Sequence, residues 1–314
     1  MHSTSRSART VSTGTAPLPP ATLPPAPTPA APTRPAGRAA GTGARTRRLP
    51  RLAATALAAG ALLAGAAAPA QAARPAPVLH PEQDFAGSTV AAHEGRGALP
   101  DAQSLVAQTK GMDVSSYQGN VAWSTAAANG ARFAYVKATE GTTYTNPYFT
   151  QQYNGSYNSG LIRGAYHFAL PNVSSGAAQA NWFVGHGGGW SGDGKTLPPA
   201  LDIEYNPYGA TCYGLSQSAM VNWIRDFSNT VHSRTGRYPT IYTTTNWWST
   251  CTGNNAGFGA TNPLWIARYA SAVGTLPAGW SYQTIWQYAD SGTLPGDQNW
   301  FNGAYDRLQA LAKG

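Results

Sequence analysis

The chain has 314 residues and a formal net charge of +8, from 21 Lys and Arg against 13 Asp and Glu. Residues 1–72 hold eight Arg and no acid, so residues 73–314 carry 13 basic and 13 acidic side chains and are formally neutral. The high charge therefore belongs to the leader, which excludes a basic nucleic-acid or membrane surface on the remainder as its cause.

Two distinct regions precede the part of the chain that we expect to fold. Residues 1–44 are rich in Pro, Ala, Thr and Ser and lack aromatic residues, which predicts a disordered low-complexity leader or a start codon assigned too far upstream. Residues 45–72 combine a basic run, an Ala-rich apolar run and the sequence Ala70-Gln71-Ala72, which is typical of a signal peptide. A membrane anchor is the alternative, but the apolar run is short for a span of about 20 residues. We expect a secreted, extracellular protein, with twin-arginine export left open by Arg47 and Arg48.

The composition changes again further along the chain. Residues 73–109 are polar and irregular, which predicts a pro-segment or linker. All 34 aromatic residues lie at or after Phe85, and most follow Gly111. Residues 110–314 are therefore predicted to form one domain, long enough for a full core.

Two cysteines occur in this domain, Cys212 and Cys251. An even count in an exported chain suggests one disulfide, with two free thiols or half of a metal site as alternatives. No C-x-x-C spacing is present and the six His are scattered, so we expect no metal and no cofactor.

Strand-like and helix-like runs alternate along residues 110–314. Such alternation predicts parallel pairing and an α/β fold, specifically an irregular β/α barrel in which catalytic side chains gather at the carboxyl ends of strands. The predicted strands contain GMDV, FAYVKAT, LIRGAYHFA, PALDIE, TIYTT, LWIARY and TIWQY, and the predicted helices contain VAWSTAAANG, NPYFTQQYNGSYNSG, SSGAAQANWFVGHGGG and SQSAMVNWIRDFSNTVHSRTG.

Three carboxylates lie in or at the end of apolar strand runs of an otherwise acid-poor domain: Asp113, Asp202 and Glu204. Residues two apart in a strand share a face, and their Cβ atoms lie about 7 Å apart. Two carboxylates at that distance raise the pKa of one of them, which places an acid beside a base.

Each acid also has a structural interpretation. Asp113 could cap the following turn, Glu204 could mark an exposed strand end, and Asp297 could be a turn residue. The remaining alternatives are ion pairs, of Asp202 with Arg163 or Arg268 and of Glu140 with Lys137.

The aromatic content suggests a carbohydrate substrate. The segments Asn246–Trp248 and Trp286–Tyr288 combine aromatic rings with amides near strand ends, which suits the apolar faces and hydroxyl edges of sugars. Core packing is the alternative, and we prefer it for Trp223 and Phe227.

Several ordered motifs resemble the catalytic domain of glycoside hydrolase family 25, over about residues 110–303. They are GMDVSSYQGNVAW, FAYVKATEGTTYTNPYF, IRGAYHFALP, PALDIEYNP, IYTTTNWW and TIWQYADSG. The resemblance implies a secreted lysozyme that cuts the β-1,4 bond between N-acetylmuramic acid and N-acetylglucosamine in bacterial peptidoglycan.

The resemblance also implies site residues. Glu204 corresponds to the general acid, and Asp202 to the group that assists the substrate acetamido group, through either an oxazoline or direct attack by water. Asp113 and Asp297 would keep the groove negative and Glu204 protonated, although the loop before Asp297 is shorter than is usual in the family. Sugar contacts are assigned to Tyr166, Lys137, Trp286, Tyr242 and Trp265.

Other functions are weighed against this one. A chitinase would also carry a strand-end D-x-E, and a cell-wall-binding module would bind without cleavage. A metal-dependent amidase lacks its ligand motif here. We expect peptidoglycan as the partner, no nucleic acid, no membrane after signal removal, and a monomer.

Overall fold

The computed structural model describes residues 79–101 and 108–314. The predicted leader (1–44) and signal peptide (45–72) lie outside the described residues, as do parts of the predicted pro-segment. The described residues form nine strands: β1 Thr109–Val114, β2 Phe133–Glu140, β3 Tyr144–Thr145, β4 Ile162–Phe168, β5 Ala200–Asp202, β6 Thr240–Thr243, β7 Leu264–Ala267, β8 Ile285–Ala289 and β9 Asp297–Phe301.

Eight of these strands close into a barrel. The order is β1-β9-β8-β7-β6-β5-β4-β2, and β1 pairs with β2 to complete the ring, while the short β3 extends β2 on the outside. β9 is antiparallel to both of its neighbours, and the other pairings around the ring are parallel. The prediction of an irregular β/α barrel is confirmed.

Helices surround this barrel. Ser216 caps α5 by accepting from the Ala219 amide, and Gly236 ends that helix in the left-handed conformation that glycine adopts without strain. The helices are α1 Val90–Glu94, α2 Trp123–Ala128, α3 Phe149–Asn158, α4 Gly176–Gly185, α5 Gln217–Thr235, α6 Thr245–Thr252 and α7 Tyr305–Lys313.

Aromatic rings fill the inside of the barrel. The Trp265 ring stacks on Tyr135 at 4.8 Å between centroids and meets Tyr242 edge-on at 4.8 Å. The edge of Tyr166 contacts the same Trp265 ring, and all four side chains are fully buried. Trp265 therefore lies at the centre of the barrel interior.

A second apolar layer lies between the barrel and its helices. Trp223 and Phe227 of α5 stack within it at 5.7 Å, which confirms their core role. Trp247 and Trp248 of α6 are also fully buried there, so the predicted sugar-binding role of the Asn246–Trp248 aromatics is wrong. Thr244 caps α6 by accepting from the Trp247 amide.

The cysteine prediction is confirmed, since Cys212 and Cys251 form a disulfide with Cα atoms 5.3 Å apart. It ties the loop after β5 to the end of α6. Among the described residues, no helix is both long and apolar enough to cross a bilayer.

Candidate active site

Four acids meet at one end of the barrel. Asp113 lies near the carboxyl end of β1, Asp202 ends β5, and Glu204 follows two residues later. Asp297 begins β9, and because β9 is antiparallel its first residue lies at the same end. Each of the four is at most 2% exposed.

Asp113 and Asp297 share a donor. Asp113 Oδ2 accepts from Gln287 Nε2 at 2.9 Å and from Asn299 Nδ2 at 2.7 Å, while Asp297 Oδ2 accepts from the same Gln287 nitrogen at 3.1 Å. Burial raises the pKa of Asp113 to about 7, and burial together with the Asp113 charge raises that of Asp297. The turn after β1 is capped by Ser115, so the capping role considered for Asp113 is wrong.

Asp202 is buried at the end of β5. Neither of its carboxylate oxygens has a hydrogen bond among residues 79–101 and 108–314. Arg163 instead contacts Asp193 at 3.9 Å and stacks over Tyr153, which excludes the Arg163 ion pair considered above. Burial, and next the Glu204 charge, raise the pKa of Asp202 well above its usual value. Asp202 thus favours its protonated form in this structure, and within residues 79–101 and 108–314 it has no group that would satisfy its oxygens.

Glu204 faces the same interior as Asp202, as the two-residue spacing predicts. Its Oε1 accepts from the Gly87 amide at 2.7 Å, and its Oε2 accepts from the Thr89 hydroxyl. Burial raises the pKa of Glu204 to about 8, and these two donors oppose the rise. A carboxyl with this pKa keeps its proton at neutral pH, which is what a general acid requires. Both donors belong to residues 79–97, hereafter the upstream segment.

Three of the predicted sugar-contact residues line the barrel interior below the acids: Tyr166, Tyr242 and Trp265. The Tyr242 hydroxyl donates to Gln287 Oε1 at 2.7 Å, which connects this aromatic floor to the Asp113–Asp297 pair.

Lys137 is fully buried in β2, close to Glu140 at the end of that strand. Its Nζ donates to Glu140 Oε2 at 2.6 Å, so the ion pair considered as an alternative role for Glu140 is present. Tyr208 donates to the other Glu140 oxygen at 3.1 Å. Burial raises the pKa of Glu140 to about 7 despite the adjacent ammonium.

Trp286 does not join the acids. Its side chain belongs to the outer apolar layer, and its Nε1 donates to the Arg268 carbonyl at 2.8 Å. The next residue, Gln287, points to the opposite face of β8, as strand alternation requires.

Sequence reasoning missed Asn299 and Tyr269, and it grouped Gln287 with the sugar-binding aromatics rather than with the acids. The Tyr269 hydroxyl donates to Gln287 Oε1 at 3.0 Å, next to the bond from Tyr242. Two signals were present in the sequence: Gln287 interrupts an apolar strand, and Asn299 shares a face with Asp297 two residues before it. Among the described residues, no group of three His, Cys, Asp or Glu side chains is arranged to hold a metal ion.

Comparison with known families decides the classification. Residues 112–297 match the family Glycosyl hydrolases family 25, a span that begins next to Asp113 and ends at Asp297. The chain belongs to glycosyl hydrolase family 25. It is therefore a glycoside hydrolase, and its barrel end with four acids is the candidate active site of a family 25 enzyme.

Relatives resemble this family 25 chain over the barrel. It is 54% identical over 209 residues to the N,O-diacetylmuramidase of Chalaropsis sp., covering 65% of this chain and 99% of that protein. A solved structure of a muramidase from Acremonium alcalophilum is 62% identical, with a TM-score of 0.65, and the match covers 66% of this chain and 99% of that one.

Another match is longer. Lysozyme M1 of Streptomyces globisporus is 46% identical over 241 residues, covering 74% of this chain and 82% of that protein. That share is about 232 of the 314 residues, whereas residues 108–314 number 207, so this match extends upstream of Gln108.

Proposed function

We propose that this chain is a secreted muramidase, which hydrolyses the β-1,4 bond between N-acetylmuramic acid and N-acetylglucosamine in bacterial peptidoglycan. The proposal rests on the pair Asp202 and Glu204. Both carboxyls are buried and lie on one face at the mouth of the barrel, and the barrel belongs to glycosyl hydrolase family 25.

Glu204 acts as the general acid. In its protonated form the Glu204 carboxyl transfers the proton to the leaving glycosidic oxygen as the bond breaks, and burial in the structure with the upstream segment in place raises its pKa, which favours that form. Gln287 donates to both Asp113 and Asp297, and the negative charge that remains on this pair would favour the protonated form of Glu204.

Asp202 assists the substrate. A buried carboxylate without a hydrogen-bond partner is costly, and an acetamido N–H is a donor of the kind that it lacks. We assign Asp202 to accept that bond, which orients the acetamido oxygen toward the anomeric carbon and balances the charge that develops on the amide.

The surroundings suit a sugar. Tyr166, Tyr242 and Trp265 supply aromatic surface, while Lys137 supplies a buried donor at one end. The relatives named as muramidases support the bond that is cut, and the disulfide together with the predicted signal peptide supports secretion.

Reducing-end analysis tests this function. Purified peptidoglycan would be digested with residues 108–314, hereafter the barrel form, and the new ends reduced with borohydride. We expect muramic acid at the new reducing ends and no soluble oligosaccharides from chitin. Reduced glucosamine at those ends, release of chitooligosaccharides, or binding to sacculi without new ends would contradict the proposal.

A further inference from the structure

The upstream segment lies inside the candidate active site. Its Gly87 amide and Thr89 hydroxyl occupy both oxygens of Glu204. A carboxyl held in this way cannot reach a glycosidic oxygen. We propose that the upstream segment is an autoinhibitory plug that occupies the substrate groove and keeps the precursor inactive until the segment is released. This inference rests on the proposed function for its activity readout.

Gly87 makes the closest approach. Its φ is +98°, and a Cβ placed there would lie no farther than 3.0 Å from Tyr269 Oη, Gln287 Oε1 and Asp297 Oδ2. Only glycine combines this backbone conformation with so little space. The chain at this position therefore runs against the catalytic end of the barrel.

The adjacent Ala86 presents the chemical groups of an acetamido substituent: an N–H donor, a carbonyl acceptor and a methyl group. Its N–H donates to the Tyr166 hydroxyl at 3.3 Å, and its carbonyl accepts from Gln287 Nε2 at 2.7 Å. Its methyl group is fully buried in the aromatic interior. An amide donor, an amide acceptor and a small apolar group are also what an N-acetylated sugar would present.

Lys137 is occupied by the same segment. Its ammonium has three donors, and two of them go to the carbonyls of Pro81 at 2.8 Å and Asp84 at 2.5 Å. The Asp84 carboxyl accepts from the Tyr208 hydroxyl. The residue assigned to sugar binding is thus left with Glu140 as its other partner.

Farther along the chain than the residues that bind Glu204, the upstream segment makes further contacts with the barrel. His93 stacks on Tyr205 at 4.0 Å between centroids, and Tyr205 donates to Glu94 Oε1 at 2.8 Å. The Gly97 amide donates to the Tyr269 carbonyl at 2.7 Å.

Open cavities flank the docked segment. One of about 460 Å³ is lined by residues including Gln83, Ser88 and Pro207, and another of about 530 Å³ by residues including Arg96, Asn246 and Thr275. The upstream segment itself lines part of each cavity, through Gln83 and Ser88 in the first and Arg96 in the second.

Relatives show that the barrel does not need this segment to fold. The Acremonium alcalophilum structure matches 66% of this chain with 99% of its own length, and that share is about the length of residues 108–314. We therefore expect the barrel to stay folded after release of the upstream segment. Release requires an endoprotease to hydrolyse one peptide bond within residues 98–101, where Ala98, Leu99 and Asp101 are exposed; water adds its hydroxyl to the carbonyl carbon and its hydrogen to the leaving nitrogen.

The activity test compares precursor and released enzyme. The chain from residue 73 would carry a site-specific protease sequence inserted after Leu99, and reducing-end release from peptidoglycan would be measured before cleavage and after removal of the fragment. We expect at least a tenfold increase on release. Equal activity before and after removal would overturn the inhibitory role.

Two glycine variants sharpen this test. Gly87→Ala should raise the activity of the uncleaved chain toward that of the released enzyme, because the Cβ forces the segment out. Gly95→Ala is the matched control, since Gly95 also has a positive φ, +75°, but a Cβ there meets nothing within 4 Å. If Gly87→Ala leaves the activity of the uncleaved chain unchanged, or if both variants raise that activity equally, the result would argue against docking at Gly87.

A binding measurement keeps the inference independent of catalysis. A fluorescent peptide of residues 79–97 would be titrated with the barrel form and followed by anisotropy. A short tether gives an effective concentration of about 1 mM, so tenfold inhibition requires a Kd of about 0.1 mM or lower. We expect saturable binding that is lost in the Gly87→Ala peptide. Absence of binding would overturn docking, whereas binding with no glycosidase activity in either form would support docking and contradict the proposed function.

Discussion

Asp113 and Asp297 lie directly opposite each other in the antiparallel ladder between β1 and β9. A single amide nitrogen, Gln287 Nε2, donates to one oxygen of each. Two buried carboxyls this close do not both ionise at neutral pH, and the raised pKa of each is consistent with a shared proton. Gln287 is therefore the positioning residue of this pair.

Gln287→Glu should destabilise the protein. The substitution keeps the shape but replaces the shared donor with a third carboxylate, and it removes the bond to the Ala86 carbonyl. We expect a loss of about 3 kcal/mol in the free energy of unfolding at neutral pH, measured by urea denaturation. Gln283→Glu, at the opposite end of the barrel, is the control and should cost little. Equal effects of the two variants would contradict this role.

The sequence predicts most of the barrel. The β-branched and aromatic runs mark seven of its eight strands, because burial on both faces demands such side chains. β9 was missed, since Asp297, Gln298 and Asn299 are residues that strands usually lack. They are tolerated there because Asp297 and Asn299 face the polar end of the interior and bond to groups within it.

The acids of the site could also be predicted from the sequence, because burying a charged side chain at a strand end is costly and therefore points to a function. Their hydrogen-bond partners were less predictable, because Gln287 comes from a strand distant in sequence from Asp113. The docking of residues 79–97 could not be foreseen. That stretch has no periodic apolar pattern, and its conformation depends on contacts with a barrel that follows it in the chain.

Glu204→Gln should fold normally and lose nearly all wall lysis. The amide cannot donate a proton to the leaving oxygen, and general acid catalysis contributes typically 10²- to 10⁴-fold to such reactions. The loss would be measured as the rate of reducing-end release by the barrel form. Asp193→Asn, in an exposed loop, is the control and should keep full activity. Substantial lysis by Glu204→Gln would remove the general-acid assignment.

Asp202→Asn should separate stability from catalysis. The carboxyl is fully buried without a hydrogen-bond partner among the described residues, so a neutral amide of the same shape should not lower the melting temperature at pH 7. Turnover should nevertheless fall by about two orders of magnitude, because the amide cannot balance charge on the acetamido group. Thermal melting and kcat on one preparation would show both. A destabilised variant with normal turnover would point to a structural role.

Stability should fall as the pH rises above neutrality. Burial raises the pKa of Glu204 to about 8 and those of Asp113 and Glu140 to about 7. In the unfolded chain these acids titrate near pH 4, so above that value the folded state holds protons that the unfolded state has lost. The free energy of unfolding then decreases with pH until the folded pKa values are passed.

Burial of His167 lowers its pKa to about 3, which acts in the opposite sense, but only below its unfolded pKa of about 6.5. The chain from residue 73 should therefore show a falling melting temperature between about pH 6.5 and pH 8. Glu204→Gln should make that slope shallower. Asp193→Asn should not, because hydrogen bonds to the Lys195 amide and nearby hydroxyls hold the pKa of Asp193 below its usual value. A slope that Glu204→Gln leaves unchanged would contradict the account.

The disulfide should contribute to stability without affecting chemistry. Cys212 and Cys251 close a loop with a sequence separation of 39. Replacing both with Ser removes a constraint on the unfolded chain worth roughly 3–4 kcal/mol in the chain-entropy account. We expect that loss in urea denaturation of the barrel form, with kcat on peptidoglycan retained at temperatures well below the melting point. The parent protein under reducing conditions is the control and should lose the same amount. An unchanged free energy of unfolding, or a loss of kcat in the folded double variant, would contradict a purely stabilising role for the disulfide.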